Sequence, residues 1–243
     1  MKQKLLHAGA LRALADQIYE MKLTGIGDAD IRPGSFVNLA VPGCFLRRPI
    51  SVCDVNGDEL TIIFRAVGKG TDALRRIAPG EEIDTLLELG NGYDLARAGE
   101  RPLLIGGGVG IPPLYYLAKK LSEEGKHVTA LLGFNTAADV FYTDAFAKYA
   151  DVIVTSVDGS VGKKGFVSDA LPEEYSFFYV CGPLPMEKAL YRLLKTGGQF
   201  SLEERMGCGF GACMGCSIKT KKGSQRVCRE GPVFDREDLL WDD

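Results

Sequence analysis

The sequence predicts a multidomain β plus α/β protein: an antiparallel β-barrel, then a doubly wound parallel sheet, then a small cysteine-bearing segment. Three observations carry that expectation. Short β-type runs punctuated by Gly and Pro fill roughly the first hundred residues. A strand-then-helix rhythm replaces them from Arg101 to about Thr196. The remaining tail, rich in Cys and Gly with little apolar periodicity, cannot build a core of its own and needs an inorganic staple. The expected divisions are 1–98, 99–198 and 199–243.

In chain order, residues 35–41, 49–55 and 59–67 read as barrel strands. In the second part, 102–105 reads as a strand followed by a helix over 112–124, and 127–133 as a strand followed by a helix over 140–149. Residues 151–157 and 177–181 supply two further strands, and a helix over 185–195 is stopped by Gly197 and Gly198. No internal repeat is present.

The composition is that of an ordinary globular chain: 46% hydrophobic, 25% charged, formal net charge -3 over 243 residues. Lys219, Lys221 and Lys222 form a short basic cluster in a net acidic chain, so they read as a solvated loop and nucleic acid is not an expected partner. Residues 1–19 interleave His7, Arg12 and Asp16 with small residues and show neither an apolar signal core nor a cleavage pattern. No apolar run approaches the ~18 residues of a membrane span. The expected location is the cytoplasm. There, seven cysteines favour metal or cluster ligation over disulfides.

Cys208, Cys213, Cys216 and Cys228 form C-x4-C-x2-C-x11-C, whose first two spacings match plant-type [2Fe-2S] ferredoxins. Three thiolates can converge from one loop only if its backbone turns sharply, and Gly207, Gly209, Gly211 and Gly215 supply that freedom. A structural zinc with four cysteine ligands is the alternative. Zinc knuckles usually carry two C-x2-C pairs, however, and one is present here. Cys44 and Cys53 lack partner spacing and read as buried free thiols without a role.

Two features suit phosphates. Arg48, within Arg48-Pro49-Ile50-Ser51, offers a planar fork for a pyrophosphate, and Gly68-Lys69-Gly70-Thr71 opens a helical stretch whose N–H groups can face an anion. Gly106, Gly107, Gly108 and Gly110 follow an apolar strand and precede prolines suited to a helix's first turn, the context of a phosphate-cradling loop, although this is not a G-x-G-x-x-G fingerprint. The competing reading is a tight connection binding nothing. Cys181-Gly182-Pro183 ends another strand at the carboxyl edge, where open α/β sheets gather ligands; Cys181 alone also reads as a plain buried strand cysteine. Phe134-Asn135-Thr136-Ala137 contains no arginine for a 2′-phosphate, which favours NAD over NADP.

The ordered set Arg48-Pro49-Ile50-Ser51, Gly70-Thr71, Leu89-Gly90-Asn91-Gly92, Gly106 to Pro113, Cys181-Gly182-Pro183 and the cysteine loop resembles the ferredoxin reductase superfamily. Within it, the chain is most similar to the electron-transfer subunits of dihydroorotate dehydrogenase B, and Glu203 to Cys216 is the most specific stretch. The resemblance implies an FAD-binding barrel, an NAD-binding domain and a C-terminal [2Fe-2S] segment. It places Ser51 near the isoalloxazine and Arg48 near the pyrophosphate, with Ile63, Phe64 and Arg65 flanking, Gly70 and Thr71 on phosphate oxygens, and Cys181 near the nicotinamide. Ile50 departs from the aromatic that many superfamily members carry. Leu87-Glu88-Leu89 replaces the family's frequent Gly-Pro-Leu ahead of Gly90-Asn91-Gly92.

The activity so implied is a relay in pyrimidine biosynthesis. An FMN-containing catalytic subunit, in a heterotetramer of two of each chain, passes electrons through the cluster to FAD and on to NAD. Two further readings remain open on the residues alone: a reductase of the same chemistry serving another acceptor, and a non-enzymatic zinc-stapled nucleotide-binding module.

Overall fold

A computed structural model describes residues 1–241. The N-terminal strands are β1 (Lys2–Ala15), β2 (Ile18–Thr24), β3 (Phe36–Leu39), β4 (Arg48–Asn56), β5 (Glu59–Arg65) and β6 (Glu82–Leu89). They close into an antiparallel barrel in the order β1-β2-β5-β4-β3-β6, with the short helix α1 (Lys69–Leu74) between β5 and β6. Side chains alternate across a strand, so Leu6, Met21, Val37, Val52, Leu60 and Leu87 all point inward and are fully buried. Each such burial contributes roughly 1.5–3 kcal/mol. The strands expected at 35–41, 49–55 and 59–67 are β3, β4 and β5. Sequence reading assigns no strand to β1, because register shifts between Ala8 and Leu11 and between Ala13 and Ala15 break its two-residue rhythm.

The second unit is a sheet of β7 (Leu103–Gly107), β8 (Thr129–Phe134), β9 (Asp151–Ser156), β10 (Lys163–Lys164), β11 (Phe178–Cys181) and β12 (Gly198–Ser201), in the order β10-β9-β8-β7-β11-β12 and parallel throughout. Helices α2 (Pro112–Glu123) and α4 (Leu184–Leu193) cover opposite faces, with the one-turn helix α3 (Thr143–Phe146) between them in the chain. Leu104, Ala130 and Tyr179 pack with Leu117 and Leu121 of α2, whereas Leu103, Ile105 and Phe178 pack with Leu190 of α4. This is the doubly wound arrangement.

Two expectations are corrected. The helix expected over 140–149 shrinks to α3, because Tyr142 adopts a left-handed backbone (φ 65°) and turns its ring onto Tyr115, 5.1 Å away. Gly198 does not stop a helix. It opens β12, where the Phe178 ring occupies the space a β-carbon would need.

The hairpin β13 (Ser217–Thr220) and β14 (Gly223–Arg226) follows the cysteine loop, and β15 (Val233–Asp235) then pairs antiparallel with β12. The expected division at 198/199 therefore falls inside β12, and the tail completes the sheet edge. Trp241 packs on Phe200 and Tyr191 at ring separations of 5.2 and 5.6 Å.

Barrel and sheet are joined through α2 and the α3 turn. Lys119 pairs with Asp54 at 3.0 Å. Glu20, only 6% exposed, accepts from Arg12 Nε at 2.9 Å and Nη2 at 2.8 Å, and from the Tyr142 hydroxyl at 2.6 Å. Burial opposes its charge, but those donors prevail and hold the carboxyl below its ordinary range. Among the described residues no helix is long and apolar enough to cross a membrane.

Candidate functional site

β4 opens on Arg48, Pro49, Ile50 and Ser51, all half-buried and paired in register with Leu39, Asn38, Val37 and Phe36 of β3. The Arg48 side chain lies across Gly70 so closely that a β-carbon there would fall inside its guanidinium group. Its Nη1 donates to the Leu46 and Arg47 carbonyls at 2.5 and 3.2 Å, and among the described residues it pairs with no carboxylate. Thr71 caps α1, its hydroxyl oxygen accepting from the Val67 and Gly68 N–H groups at 3.2 Å each. The fold thus brings Arg48, Gly70 and Thr71 to one place. The trio of β5 is not brought together: Ile63 packs toward α2, Phe64 enters the barrel core and Arg65 is exposed.

At the carboxyl edge of the sheet, Gly106 and Gly107 end β7, and Gly108 and Gly110 form the turn into α2. A β-carbon on Gly110 would run into the Cys181 carbonyl, so the glycine turn and the Cys181-Gly182 end of β11 back directly onto each other. Cys181 is buried, and burial pushes its thiol well up, with the carboxyls of Glu203 and Glu187 adding to the effect. It is therefore held as a neutral thiol. Beside it Glu187, 2% exposed in the first turn of α4, accepts from the Gly182 N–H at 3.3 Å. Burial pushes this carboxyl far above its usual range. Sequence reading missed Glu187, since an acid at a helix start looks like an ordinary dipole partner.

The four tail cysteines assemble as two pairs. Cys208 and Cys213 lie in side-chain contact, as do Cys216 and Cys228. Cys208 Sγ accepts from the N–H groups of Ala212 at 3.2 Å and Cys213 at 3.4 Å, and Cys213 Sγ from that of Cys208 at 3.4 Å. Cys216 Sγ accepts from the Cys228 N–H at 3.4 Å. Burial raises the Cys208 thiol, yet the backbone donors of Phe210, Cys213 and Ala212 outweigh it and bring the value to about 6. Cys228 is pushed up to about 12 by burial and by Cys216. Among the described residues no three His, Cys, Asp or Glu side chains surround a single point as one metal ion requires. Two thiol pairs fit a binuclear cluster that takes two thiolates on each iron better than one tetrahedral zinc.

Polar holdfasts surround the loop. Arg226 donates to the Gly211 carbonyl and forms a bidentate pair with Glu230, whose carboxyl the guanidinium holds at about 2. Asn91, in the turn after β6, bonds the Glu230 and Val233 carbonyls at 3.1 and 2.7 Å. Asn38 of β3 donates to the Cys208 carbonyl at 3.0 Å. Of these, sequence reading singles out only Asn91, as part of Leu89-Gly90-Asn91-Gly92; Asn38 stands as a lone amide in the apolar run Phe36-Val37-Asn38-Leu39. Of the remaining thiols, Cys53 is buried as expected, whereas Cys44 is only half-buried in the loop between β3 and β4.

Comparison with known proteins agrees with this layout. Residues 203–240 match the model of the iron-sulfur cluster binding domain of dihydroorotate dehydrogenase B, and residues 104–192 that of the oxidoreductase NAD-binding domain. The chain is 44% identical to the dihydroorotate dehydrogenase B (NAD(+)) electron transfer subunit of Geobacillus sp. (strain WCH70), over 99% of each chain. It is 42% identical to the subunit of the same name from Fusobacterium nucleatum, over 93% of this chain and 94% of the other. Among solved structures, one described as an NADH-dependent reduced ferredoxin-NADP oxidoreductase superposes with a TM-score of 0.88 at 29% identity, covering 98% of this chain and 91% of that one. The chain belongs to the family of dihydroorotate dehydrogenase B (NAD(+)) electron transfer subunits.

Proposed function

We propose that this subunit relays electrons among NAD(H), a bound FAD and a [2Fe-2S] cluster on behalf of a catalytic dihydroorotate dehydrogenase partner in pyrimidine biosynthesis. The observation that carries the proposal is adjacency: the loop bearing Cys208 is hydrogen-bonded to β3 opposite Pro49 of the Arg48–Ser51 stretch. A bound flavin supplies the conversion between hydride exchange with a nicotinamide and one-electron exchange with an iron–sulfur cluster.

In this reading Arg48, unpaired with any described carboxylate, neutralises the flavin pyrophosphate together with the backbone at Gly70 and Thr71. Pro49, Ile50 and Ser51 line the flavin along the barrel mouth, with Ile63, Phe64 and Arg65 behind them on β5 in supporting roles. Gly106, Gly107, Gly108 and Gly110 bring backbone close to the nicotinamide dinucleotide, and Cys181 with Gly182 borders its reactive ring. Cys181 works as a neutral, positioned thiol, and the relay itself calls for no general base. Cys208, Cys213, Cys216 and Cys228 hold the cluster.

The partner is an FMN-containing catalytic subunit, two copies of each chain forming the assembly. Cys213 is exposed and flanked by Phe210 and Met214, 40% and 52% exposed, an apolar rim suited to a protein face meeting the cluster. The seven unbridged cysteines support a reducing compartment, the cytoplasm.

An anaerobic visible spectrum of the purified chain, taken before and after NADH, tests the reading. Flavin and iron–sulfur bands that both bleach are expected. A colourless, zinc-containing protein would overturn it.

A further inference from the structure

We infer that Asn38 is the positioning residue that joins the two cofactor sites: its amide N–H holds the cluster loop through the Cys208 carbonyl, and its amide oxygen accepts a hydrogen bond from the flavin seated against residues 48–51. The inference rests on the flavin and cluster reading above.

Four observations meet at this side chain. All of β3 is buried, and Asn38, 1% exposed, is the only polar member of its Phe-Val-Asn-Leu sequence. An amide in such a place is costly unless both its ends are bonded. One end is: Nδ2 donates to the Cys208 carbonyl at 3.0 Å, and since a carbonyl can only accept, the amide's orientation is fixed by chemistry. The other end is not, because Oδ1 is fully buried with no donor among the described residues.

The surroundings explain why the protein itself does not fill that bond. On its two ladders Asn38 stands opposite Pro49 and Leu86, whose side chains carry no donor. On the loop side, Gly209 sits with φ 78°, and any side chain there would collide with the Asn38 amide, so the cysteine loop is shaped around this group. What remains is a buried acceptor on a side chain in register with Pro49 of the Arg48–Ser51 stretch, and a planar heterocycle carrying a ring N–H is the chemical class that satisfies it.

The test uses the full chain carrying FAD and cluster. Asn38→Leu keeps the volume and removes both bonds. It is expected to retain iron through the four cysteines, to weaken FAD about tenfold in a fluorescence titration, and to release iron to a chelator about tenfold faster. Gly209→Ala presses on the same amide from the loop side, so it should speed iron release and also weaken FAD, by less than Asn38→Leu does. Should the Leu protein be insoluble, Asn38→Ser is read in the same way. FAD affinity and iron release both unchanged in the Asn38 variant would overturn the inference, and so would iron release that changes while FAD affinity stays at the parent value, since water would then be satisfying the oxygen. Both readouts are independent of NADH, so a parent chain that NADH fails to bleach would defeat the relay and leave this result legible.

Discussion

The parallel sheet and the cysteine loop hold their shapes by opposite means. In the sheet, Leu103, Leu104, Ile105, Leu131 and Phe178 are fully buried, and the strands from β8 to β12 are continuously paired. Its stability is spread over many apolar contacts, none of them decisive. From Leu202 to Cys216 the chain forms no helix or strand. Its course is set by thiol acceptors, the Arg226 bond to Gly211 and the Asn38 bond to Cys208. Single substitutions should therefore act differently in the two regions: on cofactor retention in the loop, on folding stability in the sheet.

The sharpest break between them is Cys213→Ser. Removing one thiolate from the exposed pair should abolish the cluster, with iron, sulfide and the associated visible absorption falling at least about tenfold, since an isolated loop of this kind cannot order itself without its staple. Far-ultraviolet circular dichroism and FAD content should stay at the parent level. A variant that keeps its full iron and sulfide would show that these cysteines do not hold the cluster.

Arg226→Ala is the next largest. It removes the cation that ties Gly211 to the strand leading to Cys228 and strands Glu230 without its partner. A hydrogen bond from a charged donor is worth roughly 1.5–3 kcal/mol, so iron release to a chelator should quicken about tenfold while the thermal midpoint moves little. A large fall in midpoint with unchanged iron release would instead place Arg226 in the fold.

On the other side of the comparison, Tyr142→Phe deletes the hydroxyl that joins the sheet to Glu20 of the barrel. Arg12 still pairs with that carboxylate, so the loss is limited to about 1.5 kcal/mol. Calorimetry should show a midpoint lower by about 3–6 °C, with iron content unaltered. An unchanged midpoint would mean that α2 and the Lys119 pair to Asp54 carry the junction alone.

What could be read from sequence follows the same division. The barrel strands β3, β4 and β5, the parallel rhythm and the cysteine spacing are legible because each is a local pattern: alternation, period or ligand count. The α3 turn was not, because Tyr142 yields its helical backbone to reach Glu20 and Tyr115, partners far away in the chain. The role of Gly198 depends on the Phe178 ring, and that of Asn38 on Cys208, a contact across 170 residues. Residue types announced which cofactors to expect. The side chains that hold the sites against each other were set by tertiary contact.

The smallest effect probes a buried acid on the helix beside the sheet. Glu187 is a buried acid whose carboxyl desolvation pushes well up, so its folded pKa lies above its unfolded value. Below the unfolded value of about 4.3, both states carry the proton and the group costs nothing. As pH rises past that point the unfolded chain ionises while the folded one does not, so stability declines until the folded pKa is passed. Glu187→Gln keeps an acceptor for the Gly182 N–H at 3.3 Å and removes the ionisation. Its midpoint should equal the parent's near pH 4 and exceed it at pH 7.5 by about 2–4 °C, the scale of ~1 kcal/mol in a chain of this size. A gain of equal size at both pH values would point to packing, and no gain at pH 7.5 would mean that Glu187 is ionised in the folded protein, making the carboxyl edge of the sheet as dependent on charge as the cysteine loop.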